Sequence, residues 1–255
     1  VTVDPEARYR LGIDIGGSNI KGGVVDVTRG ELVGERHVVS TPQPCTPEST
    51  AQTVDEIADH FGWSGPVGVT LPAVVTGGIV RTAANIHEAW IGTDARDLFS
   101  RALQGVDVTV VNDADAAGLA EYRYGAATDG VVIVVTFGTG IGSALLHDGL
   151  LVPNTELGHM HVAGVEAEEL AAASVKHRRQ LSFGDWADRA STVLGHIENL
   201  FWPDLFVVGG EISRDGSEWI PLLSVRTPVV PAGLLNSAGV IGAALAARSS
   251  DLVAV

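Results

Sequence analysis

The stretch Arg10-Leu11-Gly12-Ile13-Asp14-Ile15-Gly16-Gly17-Ser18-Asn19-Ile20-Lys21-Gly22-Gly23-Val24-Val25-Asp26-Val27 decides the fold class. Arg10 to Ile15 reads as a short apolar strand, Gly16-Gly17-Ser18 as a turn, and Ile20 to Val27 as the returning strand. The order recurs in the second half of the chain: Val131 to Phe137, the turn Gly138-Thr139-Gly140, then Ile141 to His147. Two such glycine hairpins, one in each half, predict two similar sheets facing each other across a cleft.

Outward from the first hairpin, Thr28-Arg29-Gly30 turns into a third strand, Leu32 to Val39. The Pro-rich stretch Thr41 to Pro47 excludes a strand or helix interior, because each proline lacks a donor and fixes φ. Pro47 then opens a helix to His60. Val67 to Leu71 is a strand, and Gly77-Gly78 turns a small hairpin between Val74-Val75 and Ile79-Val80. Thr93 is placed to cap a helix reaching Leu103. Val106 to Val111 is β-rich, ends in Asn112-Asp113, and passes into an Ala-rich helix to Tyr124. Helices are expected at Val165 to Arg178 and Phe183 to Phe201, a buried strand at Asp204 to Val208 before Gly209-Gly210, and a small-residue helix from Ser237 to Arg248. Alternating strands and helices with short connections mean α/β with partly parallel sheets.

Composition narrows the function. At 255 residues, 45% hydrophobic and 18% charged, the chain can bury a full core and is not a disordered segment. No apolar run approaches the roughly 18 residues of a membrane span, and nothing at the start has the basic-then-apolar order of a signal peptide. Cys45 is the single cysteine, which excludes an intramolecular disulfide and a thiolate-rich zinc site and makes the cytoplasm the expected compartment. The net charge of −15, from 16 basic and 31 acidic residues, argues against a nucleic-acid partner. The bases are fourteen arginines and two lysines, Lys21 and Lys176. An anionic ligand must therefore be met by a local site, since the global field repels it.

Glycines at a hairpin tip let backbone N–H groups approach a phosphate, and a Ser hydroxyl adds a donor. Asp14-Ile15-Gly16-Gly17-Ser18-Asn19-Ile20-Lys21 fits that use, with Asp14 able to hold Mg²⁺ through water; it also fits an ordinary hairpin with a capping Asp. Neither lysine is followed by Ser or Thr, so no Walker-type loop exists, and Gly138-Thr139-Gly140-Ile141-Gly142 lacks dinucleotide-fold spacing. Asp113 and Asp115 fail as a calcium loop, because Ala117 and Tyr124 stand where ligands belong. Asn112-Asp113 is either a helix cap or, at the carboxyl end of a strand, the site of a general base. His159 with His161 is a surface pair or half a metal site, and the missing third ligand favours the former.

Taken in order, Asp14 to Lys21, Asn112-Asp113, Phe137 to Gly142, Glu156-Leu157-Gly158-His159 and Val208-Gly209-Gly210 resemble the ROK family of sugar kinases. Thr41-Pro42-Gln43-Pro44, Arg81-Thr82-Ala83-Ala84-Asn85, Trp202-Pro203-Asp204-Leu205-Phe206 and Arg226-Thr227-Pro228-Val229-Val230-Pro231 are similar to its actinobacterial branch that uses polyphosphate or ATP on glucose and mannose. The resemblance spans roughly residues 10 to 248.

It implies an actin-like, hexokinase-type (ribonuclease H-like) fold of two α/β lobes with a cleft between them. Residues 1–112 with helix 237–248 would form the small lobe and residues 113–236 the large one. The implied activity is transfer of the terminal phosphoryl of polyphosphate or ATP to the 6-hydroxyl of glucose, with mannose as a second acceptor. Asp113 is the implied base, Asn85, Asn112, Asp113, Glu156, His159 and Glu169 the sugar ligands, with the adjacent Glu168 the open alternative to Glu169, and Mg²⁺ the cofactor, held by Asp14 through water. Asp14, Gly16, Gly17, Ser18, Asn19, Lys21, Thr139, Gly140, Gly209 and Gly210 would form the phosphate site, in a monomer or homodimer. Most relatives carry a zinc-binding cysteine cluster after Glu-x-Gly-His; Val162 to Ala173 has no cysteine, so structural zinc is expected to be absent. The family's repressors carry an N-terminal helix-turn-helix domain, whereas nine residues precede the first strand here, so an enzyme is expected rather than a regulator or sugar sensor. The densest basic run, Lys176-His177-Arg178-Arg179, is either a helix end or, through Lys176, Arg178 and Arg179, a track for polyphosphate.

Overall fold

A computed structural model describes residues 8–84 and 86–247. Asn85 and the end of the last predicted helix, Arg248, lie outside the described residues. The chain divides into two compact units, one running to Ala120 and taking in the segment from Ser237, the other Glu121–Asn236.

In the first unit, β1 (Tyr9–Ile15) and β2 (Asn19–Asp26) form the predicted hairpin. The third strand divides into β3 (Glu31–Leu32) and β4 (His37–Ser40), both antiparallel to β2, with Gly34 at φ +83° in the turn between them. Helix α1 (Pro47–His60) starts where Pro47 supplies a preset φ and Thr46 and Ser49 form a capping box. It leads to β5 (Val67–Leu71), the small pair β6 (Val75–Thr76) and β7 (Ile79–Val80), α2 (Ala95–Ala102) and β8 (Val108–Asn112). The cap of α2 is Asp94, not Thr93: the Asp94 side chain accepts from the Asp97 N–H, while Thr93 Oγ1 donates to the Ala89 carbonyl. The sheet order is β3-β2-β1-β5-β8, and β1, β5 and β8 run parallel.

Helix α3 (Asp113–Tyr124) carries the chain from β8 toward the second unit. The change of unit falls inside it, at Ala120, rather than at residue 112; its early turns lie against the segment that returns from Ser237, the Ala116 carbonyl under Gly242. Next come β9 (Val131–Phe137), β10 (Ile141–His147), β11 (Leu150–Val152), and the pair β12 (His161–Val162) and β13 (Val165–Glu166). Helices α4 (Ala167–Ala171), α5 (Ala173–Arg179) and α6 (Phe183–Phe201) follow. Then come β14 (Leu205–Gly209), the single helical turn α7 (Gly216–Trp219) and β15 (Val229–Pro231). The second sheet, β11-β10-β9-β14-β15, repeats the first: an antiparallel hairpin continued by parallel strands.

The long helix expected over Val165 to Arg178 is broken at Ala172, whose ψ is 152°. Tertiary hydrogen bonds explain the break. The Ser174 N–H donates to the Gly138 carbonyl at 3.1 Å, and the Ala171 carbonyl accepts from Trp186 Nε1 at 2.9 Å. Trp186, Trp219 and Phe137 meet edge-to-face with centroids 4.9–6.1 Å apart, a buried aromatic cluster directly below the Gly138 turn.

Helix α8 (Ala238–Ala246) returns to the first unit and packs on β1 and β5. The approach is close enough that a methyl at Gly12 would strike the Val240 carbonyl, and one at Gly68 the Ala243 carbonyl. Among the described residues no helix is long and apolar enough to cross a membrane.

Candidate active site

In the first unit, three parallel strand ends bring candidate residues into one row. Asp14 on β1 is level with Thr70 on β5, and Thr70 with Val111 on β8, two residues before Asp113. Strands about 4.8 Å apart place Asp14 about 10 Å from Val111 along the carboxyl edge of one sheet. Thr70 links the row: its hydroxyl donates to Asp14 Oδ1 at 2.9 Å and accepts from the Ile15 N–H at 3.2 Å. Lys21, opposite Asp14 in the hairpin, holds its ammonium 3.5 Å from Asp14 Oδ2.

The Gly16–Asn19 turn is pinned from behind. Thr41, in the Pro-rich segment, donates its hydroxyl to the Gly16 carbonyl at 2.6 Å and its N–H to the Ser18 carbonyl at 3.0 Å. Gly17, Ser18 and Asn19 stay exposed, and a methyl on Gly17 would meet nothing within 4 Å. The backbone of this turn is therefore presented to open space.

Asn112 is buried, and its amide is engaged with the backbone. Its Oδ1 accepts from the Ala114 and Asp115 N–H groups at 2.8 and 3.1 Å, and its Nδ2 donates to the Ala73 carbonyl at 3.2 Å. Asn112 is thus the main cap, and the neighbouring carboxylate shares the Ala114 N–H with it. Asp113 is half-buried, one oxygen 2.9 Å from the Ala114 N–H.

In the second unit the Gly138–Gly140 turn closes through the Gly138 N–H to the Gly140 carbonyl at 3.0 Å. Ser174 Oγ donates to the Thr139 carbonyl at 2.7 Å, leaving the Thr139 side chain exposed. Gly209 on β14 is level with Thr136 on β9, and Gly210 follows at φ +88°, where a methyl would collide with the Phe137 carbonyl. Only glycine fits that position.

The second unit also holds a histidine among carboxylates. His159 Nδ1 is 3.0 Å from Glu166 Oε2, and Nε2 is 3.6 Å from Glu156 Oε2. Glu168 stands in the same group, its Oε2 accepting from the Ile141 N–H at 3.4 Å. The hydrogen bond to Glu166 raises the pKa of His159 against the opposing effect of burial, and the charges of Glu168 and Glu156 add to the rise. Burial raises Glu156. Glu169, the expected sugar ligand, is exposed and outside the group; α4 begins only at Ala167, so successive residues turn about 100° apart and Glu168 faces inward instead.

The ROK family profile matches residues 10–176. The chain belongs to the ROK family. Polyphosphate glucokinase of Mycobacterium tuberculosis is 57% identical over 241 residues, covering 94% of this chain and 91% of that protein. The crystal structure of inorganic polyphosphate/ATP-glucomannokinase from Arthrobacter sp. strain KM superposes with a TM-score of 0.89 at 47% identity, covering 93% of this chain and 97% of that one. The ROK glucokinase of Streptomyces griseus, solved with glucose and AMPPNP, gives 0.80 at 25% identity, over 95% and 100% of the two chains. The fold is the actin-like, hexokinase-type α/β fold of these ROK kinases.

Three residues around these groups carried no sequence signal: Thr70, Glu166 and Gly239. Gly239, at the start of α8, presses bare backbone against the Asp14 carboxylate. Of the two adjacent glutamates that the sequence left open, Glu168 stands with His159 and Glu166.

Proposed function

We propose that this ROK protein transfers the terminal phosphoryl group of inorganic polyphosphate or ATP to the 6-hydroxyl of glucose, with mannose as a second acceptor. The observation that carries the reading is the shared carboxyl edge of β1, β5 and β8, which sets Asp14 and its phosphate-type turn in one row with Asp113. That spacing leaves room for a phosphoryl group and a primary hydroxyl between the two carboxylates.

Asp113 accepts the proton of the 6-hydroxyl as the oxygen bonds to the terminal phosphorus. The bridging P–O bond breaks, releasing ADP or a polyphosphate one unit shorter. The turns at Gly16–Asn19 and Gly138–Gly140 each offer N–H groups to phosphates, the first with Lys21 in its own hairpin and the second with Gly209 and Gly210 in its own sheet. Glu156, His159 and Glu168 bind sugar hydroxyls, a task suited to carboxylates and an imidazole because hydroxyls both donate and accept. Asn112 positions Asp113.

A single carboxylate oriented by a hydroxyl suits Mg²⁺, which keeps most of its waters, so Asp14 fits as its protein contact. When bound, Mg²⁺ neutralises charge on the donor phosphates. We place the reaction in the cytoplasm, where the thiol of Cys45 stays reduced.

The test is a coupled assay for sugar 6-phosphate with glucose or mannose against ATP or polyphosphate. Asp113→Asn should lower kcat by about 10²–10⁴-fold while glucose binding survives. A variant within a few-fold of wild type would remove Asp113 from its role.

A further inference from the structure

Three features of α5 point the same way. Ser174 ties its first turn to the Gly138–Gly140 loop through two hydrogen bonds, so the helix leaves that loop in a set direction. Residues three and four positions on share the Ser174 face, which puts His177 and Arg178 about 6 Å further along the helix. Both are exposed, as is Arg179.

The arginines have no structural employment that accounts for them. Among the described residues, the side chains of Arg178 and Arg179 make no hydrogen bond or ion pair, whereas Arg8, Arg101 and Arg226 each reach a carboxylate. The helix end does not require them either. Gln180, in the left-handed region, returns its N–H to the His177 carbonyl, and the Leu181 N–H takes the Lys176 carbonyl at 3.0 Å. Lys176 is different: its ammonium sits 4.1 Å from the Phe183 ring centroid, on the side away from Ser174.

We propose that Arg178, seconded by Arg179, binds the distal repeats of a polyphosphate whose reacting end lies at the Gly138–Gly140 turn, and that Lys176 is not part of this path. The inference rests on the donor assignment made above. A guanidinium fork matches two phosphate oxygens, and an unpaired one in a chain of net charge −15 is a local exception to a repelling field. ATP ends in a nucleoside before such a path is filled; a long polyphosphate continues along it.

The experiment compares KM for long-chain polyphosphate and for ATP, at saturating glucose, in wild type, R178A, R178K and R178A/R179A, at low and high salt. We expect the ratio of the two KM values to rise roughly tenfold in the double variant, with R178A supplying most of it and R178K restoring part. The rise should shrink at high salt, since the attraction between guanidinium and phosphate is ionic. A ratio within twofold of wild type, with polyphosphate turnover intact, overturns the path and leaves the donor assignment standing. An equal rise for both donors also overturns it, marking the run as a helix end. Wild-type protein that turns over ATP but not polyphosphate would overturn the donor assignment itself, and the path with it.

Discussion

Gly239 and Asp14 are in such close approach that a methyl group on Gly239 would stand 2.7 Å from the Asp14 carboxyl carbon and 2.8 Å from each oxygen. Helix α8 therefore forms one wall of the carboxylate's seat, with Thr70 holding one oxygen and Lys21 facing the other. Gly239→Ala must push Asp14 off this seat. Because a misplacement of about 1 Å can cost about 10²-fold, kcat should fall by that order while the melting temperature changes little. Gly195, inside α6 with nothing within 4 Å of its missing methyl, is the control: Gly195→Ala should keep activity and gain about 0.5–1 kcal/mol of stability. Unchanged turnover in Gly239→Ala would mean that Asp14 has no exacting position to keep.

Much of this architecture was legible, and the exceptions share a cause. Val67–Leu71, Val131–Phe137, Ile141–His147 and Phe183–Phe201 were readable to the residue because apolar runs and glycine turns are local signals. The two glycine turns and the cap at Asn112 were readable because glycine and asparagine mark turns and helix starts locally. What escaped depended on distant partners. Ala172 breaks a good helical sequence because Ser174 is drawn to Gly138. Thr70 and Gly239 matter only through Asp14, which the chain brings to them from β1. The choice of Glu168 over Glu169 hangs on where α4 begins, and that start is set by Glu166 pairing with His161 across β12 and β13.

That one-residue distinction gives a clean pair of variants. Glu168→Gln should raise KM for glucose by about tenfold or more, the size expected when a charged hydrogen-bonding group in a sugar site is neutralised. Glu169→Gln should leave it within twofold, since its side chain is exposed outside the group. Steady-state kinetics at saturating donor reads both. The reverse order would return the role to Glu169.

The His159 group makes stability depend on pH with a determinate sign. Its folded pKa is raised above 6.5 by the Glu166 hydrogen bond, so the folded state favours the imidazolium. The stabilisation is fully present below about pH 6.5 and is lost as pH rises through the folded value. Glu156, raised by burial, adds in the same direction, because its charged form is the disfavoured one in the folded protein. The melting temperature of wild type should therefore exceed that of His159→Asn by more at about pH 6 than at about pH 9. A gap that widens with pH would contradict the assignment of Glu166 as the group that holds the imidazolium.

The last prediction concerns metals, where two sites of unlike chemistry must be separated. Asp14 offers one carboxylate, enough for an ion that keeps most of its waters and arrives with the donor phosphates, and too little to retain an ion alone. Turnover should stop on chelation and return with added Mg²⁺, with no change in melting temperature in the absence of donor. His159, Glu166 and Glu168 have ligand atoms within 4.8 Å of one another, close enough to hold a divalent ion. They are half-exposed and lack thiolates, and His159 already shares its Nδ1 with Glu166, a bond that must be given up before that nitrogen can ligate. Elemental analysis of protein purified without chelator should accordingly find well under one zinc per chain. Zinc added in excess should compete with glucose rather than stabilise the fold. One tightly held zinc per chain, lost in His159→Asn together with several degrees of melting temperature, would instead make this group a structural metal centre and take His159 and Glu168 out of sugar binding.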